Sequence, residues 1–145
     1  MLRAVVDPGV LISSLISSRG ISSRGAPSEL VRRWTEGEFQ LLWSPQLLEE
    51  LALVCARPRF REWFSPEEAA IIVGLIRDAG EAHGDALTDA PPPPDDGDRY
   101  LIDLAVTSQA DCLVTGDQTL LSHAVPGLRI ASPRTLLDVL DALGH

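Results

Sequence analysis

The segment Ala110-Asp111-Cys112-Leu113-Val114-Thr115-Gly116-Asp117 decides the fold. Its apolar run stops at a threonine, a glycine and a lone carboxylate, the pattern of a buried parallel strand that ends in a turn. Far upstream, Ala4-Val5-Val6-Asp7 repeats the pattern: an apolar run, then one acid. In open α/β folds, ligands gather outside the carboxyl ends of such strands. Two acids delivered to one sheet edge from distant parts of the chain point to a cation or phosphate site, and so to a metal-dependent enzyme.

Outward from these strands the chain alternates strand and helix signals. Residues 3–6 are a predicted strand and 10–17 a short helix behind Gly9. Ala26 to Glu36 reads as a helix with Pro27 near its start and Gly37 past its end. A second strand follows at 39–43. Ser44-Pro45 opens a helix to about Ala56, and the capping box Ser65-Pro66-Glu67-Glu68 opens another to about Ala79. The connection 84–97 contains Pro91 to Pro94, so it runs extended and returns the chain to the sheet. Residues 98–108 read as helix, 111–114 and 128–131 as strands, and 133–143 as the last helix. The expected architecture is α/β: residues 1–145 form one domain, with a central, mostly parallel sheet of 4–5 strands flanked by helices on both faces.

Composition removes several chemistries. The net charge is -9, and all 12 basic residues are arginine; the chain has neither lysine nor asparagine. A P-loop, a Schiff-base enzyme and a phospho-receiver domain each need a lysine. The acidic balance argues against coating nucleic acid by bulk charge. Cys55 and Cys112 lie in apolar contexts without Cys-x-x-Cys spacing and read as core residues of a reducing compartment. With the first strand at the N-terminus and no membrane-length apolar stretch, a cytoplasmic location is expected. The tandem copy Ile16-Ser17-Ser18-Arg19-Gly20 and Ile21-Ser22-Ser23-Arg24-Gly25 is too short for a repeat architecture and reads as an expanded loop, or as a basic lip formed by Arg19 and Arg24.

Each acid has a plain structural reading beside a functional one. Leu47, Leu48, Leu51, Val54 and Cys55 form one helical stripe; Glu49 falls opposite it and Glu50 at its border, where a carboxylate reaches a cleft while its stem packs on the core. Asp98 stands where a helix N-cap is favoured, with Asp95 and Asp96 in a solvated acidic loop. Asp103 is rotated about 140° from Asp98 on the same helix, at ~100° per residue. Asp111 reads as a turn residue, and Asp138 and Asp141 as a solvated face.

Taken together, Asp7, Glu50, Asp98 and Asp117 resemble the acid set of the PIN-domain nuclease family, over nearly the whole chain. The matching stretches are Val5-Val6-Asp7; Ser44 to Leu51 with Ala56-Arg57-Pro58-Arg59-Phe60; Asp98-Arg99-Tyr100-Leu101 with Leu104-Ala105; and Ala110 to Asp117 with Leu120-Leu121. Order and spacing are similar to the branch that supplies toxins of bacterial toxin-antitoxin pairs. The resemblance implies an endoribonuclease that cleaves single-stranded RNA with Mg²⁺ or Mn²⁺. Asp7, Asp98 and Asp117 would be the main ligands, Glu50 a ligand or orienter of water, and Thr115 a supporting residue; hard divalent ions suit such oxygen donors. It also implies a homodimer and a cognate antitoxin partner. Arg57, Arg59 and Arg61, or Arg32 and Arg33, are the candidate phosphate contacts.

The departure from the family pattern lies directly after Asp7. The family has threonine or serine and then asparagine there, where this chain has Pro8-Gly9. Loss of two hydrogen-bonding side chains beside a ligand makes a PIN-like module that binds antitoxin or RNA without cleavage the alternative reading. A phosphatase with Asp7 as nucleophile is a weaker alternative, because haloacid-dehalogenase-type enzymes place a second aspartate where Gly9 stands and also use a lysine.

Overall fold

The computed structural model describes residues 1–17 and 25–144. Its elements in chain order are β1 (Arg3–Val6), α1 (Pro8–Ser17), α2 (Ala26–Thr35), β2 (Gln40–Trp43), α3 (Pro45–Cys55), α4 (Pro66–Ala79), β3 (Glu81–Ala82), α5 (Arg99–Thr107), β4 (Cys112–Val114), α6 (Gln118–Leu121), β5 (Arg129–Ala131) and α7 (Pro133–Ala142), with 3-10 turns at Pro58–Phe60 and Asp96–Asp98. Arg19, Arg24 and His145 lie outside the described residues.

Side-chain alternation along the central strands builds a core on each face of the sheet. Ala4, Val6, Leu41, Cys112 and Val114 face the layer to which α1, α2, α4 and α7 contribute. Val5, Leu42 and Leu113 face the other way, onto α5 and α6. Leu47 packs with this second layer, whereas Leu51 and Cys55 on the same helix α3 pack with the first. The sheet is wholly parallel in the order β3-β2-β1-β4-β5. Buried on both faces, its central strands read as the continuous apolar runs found in the sequence. Cys55 and Cys112 are both buried and free, and burial pushes the Cys112 thiol up to about 12.

Local signals place the helices. Ser44, Ser65 and Ser132 each accept a backbone N–H in the first turn of α3, α4 and α7, with proline following in each case. At Ser65 the capping box is complete, because Glu68 returns a carboxylate to the Ser65 N–H at 3.1 Å. Helix α1 starts at Pro8, earlier than the sequence reading: a proline lacks an N–H that the first turn does not use. The fifth strand, β3, has only two residues, too few to leave a periodic signal.

Two surface readings change in the structure. Arg33 is 6 % exposed and pairs with Glu38 and Asp141, both at 2.7 Å, tying α2 to α7. Asp141 is therefore a partner of a buried cation, and Arg33 is not a phosphate contact. Arg32 is likewise held between Glu29 and Glu36 on its own helix.

The connection after β3 forms a strap. Thr88 binds Asp103 on α5 through its hydroxyl at 2.6 Å and its N–H at 3.2 Å. The Pro91 carbonyl is 2.8 Å from His123 Nε2, just beyond α6.

Two glycines of the α4 region predict opposite effects of alanine. A Cβ on Gly80 would stand 2.6 Å from the Ile76 carbonyl and 2.7 Å from Trp43 Cδ1, contacts that carry the turn from α4 into β3. Gly80→Ala should lose roughly 1–3 kcal/mol. At Gly74, inside α4, the nearest atom is the Arg77 guanidinium at 3.5 Å, so Gly74→Ala should gain about 0.5 kcal/mol. Urea unfolding midpoints should move in opposite directions; a shared direction would contradict this packing.

Candidate functional site

Strand β1 sits where the sheet order changes direction, paired with β2 on one side and β4 on the other. That is the crevice in which open α/β folds bind ligands. The Asp7 N–H donates to the Val114 carbonyl at 2.9 Å, extending the β1–β4 pairing to the acid itself.

A chain of hydrogen bonds then sets the carboxylates. Thr115, fully buried, donates its hydroxyl to Asp7 Oδ2 at 2.8 Å and accepts the Asp117 N–H at 3.1 Å. Asp7 Oδ1 accepts the Gly9 N–H at 3.0 Å, a backbone bond that any residue other than proline can make at that position. Asp117 Oδ1 caps α6 by accepting the Thr119 N–H at 2.9 Å. A cavity of about 300 Å³ opens here, lined by Asp7, Gly9, Ser13, Gly116 and Asp117 among others.

Asp98 closes the 3-10 turn before α5, and its side chain makes no capping hydrogen bond. Asp95 performs the local capping instead, accepting the Gly97 N–H at 2.9 Å. The Asp98 carboxyl is pushed up to about 6, first by burial and then by the charges of Asp7, Asp95, Asp117 and Glu50. The four acids singled out in the sequence therefore share one electrostatic field. Asp95, read there as a solvated loop residue, belongs to it; only its closeness to Asp98 in the chain could have hinted at this. Tyr100 was also missed. Burial raises its phenol first, and the charges of Glu50, Asp7, Asp98 and Asp85 raise it further, so it remains protonated beside them.

The acids share a field without sharing one cavity. Glu50 is exposed on α3 and lines a neighbouring hollow of about 370 Å³ with Gln46, Glu49 and Asp85. Among the described residues, no three His, Cys, Asp or Glu side chains are arranged to grip a metal ion. The donor set nonetheless fits a hard divalent ion that keeps several waters, because such an ion needs only one or two direct carboxylates. Burial is the first cause of the raised Asp98 pKa, and the repulsion among the acids that adds to it is what a cation would relieve.

The arginine segment stands apart. Arg57, Arg59 and Arg61 are exposed, and none lines the cavities at Asp7 or Glu50. Arg59 lies 4.7 Å over the Phe60 ring; Arg61 lies 5.6 Å over Phe64 and donates to the Cys55 carbonyl. A larger hollow of about 520 Å³ lies between α3 and α4, but it is lined largely by apolar side chains and contains none of the four acids.

A family model for the PIN domain matches residues 3–119. The uncharacterized protein MJ1680 of Methanocaldococcus jannaschii is 26 % identical over 121 residues, spanning 83 % of this chain and 74 % of the relative. The crystal structure of PAE2754 from Pyrobaculum aerophilum superposes with a TM-score of 0.61 at 16 % identity, covering 97 % of this chain and 90 % of the other, a likeness of fold.

The shift at Asp98 predicts a pH signature in the metal-free protein. A carboxyl whose pKa is higher folded than unfolded favours folding most below its ordinary value of 3.8, and that contribution is lost as pH rises through about 6. With EDTA present, the melting temperature of the wild type relative to Asp98→Asn should fall between about pH 4 and pH 6.5. A constant difference over that window would contradict the coupling of the acids.

Proposed function

The chain belongs to the PIN domain family, and from that premise we propose that it is a divalent-metal-dependent endoribonuclease cleaving single-stranded RNA. PIN domains are generally metal-dependent nucleases. The observation that carries the reading is the convergence of acids on Asp98, whose carboxyl is raised first by burial and then by the charges of Asp7, Asp95, Asp117 and Glu50, three of them from distant parts of the chain. We further propose that it is the toxin of a toxin-antitoxin pair, working in the cytoplasm as a homodimer neutralised by a cognate antitoxin. This finer reading rests on the sequence resemblance. No helix among the described residues is long and apolar enough to cross a membrane.

Asp7, Asp98 and Asp117 would hold Mg²⁺ or Mn²⁺, with Glu50 as a further ligand or an orienter of water. When bound, the cation supplies the Lewis acidity that activates water and neutralises charge building on the phosphate. The protein's part is positioning. Thr115 fixes the Asp7 carboxylate from one side and the Gly9 amide from the other, while α6 fixes Asp117. Asp98 carries its proton below about pH 6 and would give it up to serve as a ligand. Arg57 and Arg59 are proposed as outer contacts to the RNA backbone, reached after the strand leaves the acids.

Two observations favour a second reading, a PIN-like module that binds RNA or antitoxin without cutting. They are Pro8-Gly9 beside Asp7 and the absence of a ready three-ligand cluster among the described residues.

End-labelled single-stranded RNA incubated with the purified protein in Mg²⁺, Mn²⁺ or EDTA separates the two. The nuclease reading expects metal-dependent cutting that falls at least ~100-fold in Asp117→Asn, and ~10 to 100-fold in Thr115→Val, which unties Asp7. A folded protein that binds Mn²⁺ and RNA yet cuts nothing would leave the binding module. A Cβ at Gly9 would sit 3.6 Å from Asp7 Oδ1, an ordinary contact, so an asparagine can begin there without strain. The double change Pro8→Thr with Gly9→Asn should raise the cleavage rate about tenfold; no gain in a folded double mutant would show that the site does not depend on those side chains.

A further inference from the structure

We propose that the hollow between the strap and α5 is a nucleobase subsite that seats guanine beside the acidic edge. The proposal rests on the nuclease reading and adds a base preference to it. The cavity encloses about 330 Å³, within the ~300–1,000 Å³ of small-molecule sites. It adjoins the hollow that holds Glu50. Gln46 and Asp85 line both this hollow and the one that holds Glu50. Tyr100, which lines it as well, is two residues from Asp98 at the start of α5.

Its walls are built before a ligand arrives. Asp103, 4 % exposed, grips Thr88 on the strap by two hydrogen bonds, and Arg99 reaches the Thr88 carbonyl at 3.4 Å. Asp85 accepts the Gln46 N–H at 3.0 Å, fixing the strap to the start of α3. A preformed pocket spends little ordering itself on binding.

The lining selects the kind of ligand. Asp85 and Asp96, with Asp103 paired to Arg99, leave the hollow net negative, which disfavours phosphate and suits a base edge rich in N–H donors. The Tyr100 ring and the Leu87 side chain, 83 % exposed, offer apolar surface for a base face. Asp96 is exposed and offers acceptor oxygens; the Arg99 side chain, 44 % exposed, pairs through Nε with Asp103 Oδ2 at 3.5 Å and through Nη2 with the Thr88 carbonyl at 3.4 Å, which leaves Nη1 to donate to a ligand. Guanine matches both on one edge: adjacent N1–H and N2–H donors for a carboxylate, and the O6 acceptor for the remaining Arg99 donor.

Binding to the full chain tests this without relying on cleavage. Fluorescence anisotropy of labelled UUUGUUU, UUUIUUU and UUUUUUU, with Ca²⁺ in place of Mg²⁺ or Mn²⁺, should show the guanine oligonucleotide binding about tenfold tighter than the all-uridine one. Inosine, lacking the 2-amino group, should lose most of that gain. Asp96→Asn and Arg99→Gln should each cut the preference to less than about threefold. Equal affinities in the wild type, or a preference unchanged in both variants, would overturn the subsite. Cutting of UUUUUUU in Mn²⁺ with no guanine preference would remove the subsite and keep the nuclease. A folded protein that neither binds nor cuts any of the three would remove both.

Discussion

The pairing of β1 with β4 is the constraint on which the acidic edge depends. These strands are separated by most of the chain, yet their register brings Val6 opposite Val114. One further hydrogen bond, from the Asp7 amide to the Val114 carbonyl, carries that register to the first carboxylate. Thr115 then follows as the next residue of the other strand, at the height needed to bind Asp7 and the Asp117 amide together. Because side chains alternate along a strand, a slip of one residue would turn Val114 and Thr115 to the wrong faces and dissolve the arrangement. The apolar cores on both faces, which fix Val5 and Leu113 on one side and Val6 and Val114 on the other, therefore also fix the site.

The two ends of the sheet treat charge differently. At the amino edge, Arg3 binds Glu81 through its guanidinium and Asp111 through its N–H, and it also reaches the carbonyls of Ser108 and Gln109. Its guanidinium, and then His83, hold the Glu81 carboxyl below the usual range. At the carboxyl edge, no arginine or histidine among the described residues forms an ion pair with Asp7, Glu50, Asp98 or Asp117. Instead, burial and mutual repulsion raise Asp98. One edge is a neutralised joint, and the other is a negative field waiting for a counter-charge.

Much of this was legible in the sequence where the signal was local. Ser-Pro pairs and a capping box give the helix starts, and apolar runs closed by Asp7 and Asp117 give the central strands. The α/β class and the wholly or mostly parallel sheet follow from that alternation. Less local features were not legible. The two-residue β3 depends on Gly80 lying against Trp43 and Leu41, a contact with no sequence period. Asp141 looked solvated because its partner, Arg33, is far away in the chain. Asp98 looked like an N-cap, and the structure gives the nearby capping role to Asp95, leaving the Asp98 carboxyl open. In each case a long-range contact decided between roles that residue type allowed equally.

The strap carries its own economy of disorder. Pro91 to Pro94 have fixed φ before the chain folds, so the unfolded ensemble has fewer conformations to give up there than an ordinary loop of that length. Thr88 before the prolines and the Pro91 carbonyl then fasten it to α5 and to His123, with Asp85 holding its start to α3. Rigidity that other folds draw from strand pairing comes here from covalent rings, and because proline has no amide hydrogen, that stretch presents no unmet donor along the margin of the acidic crevice.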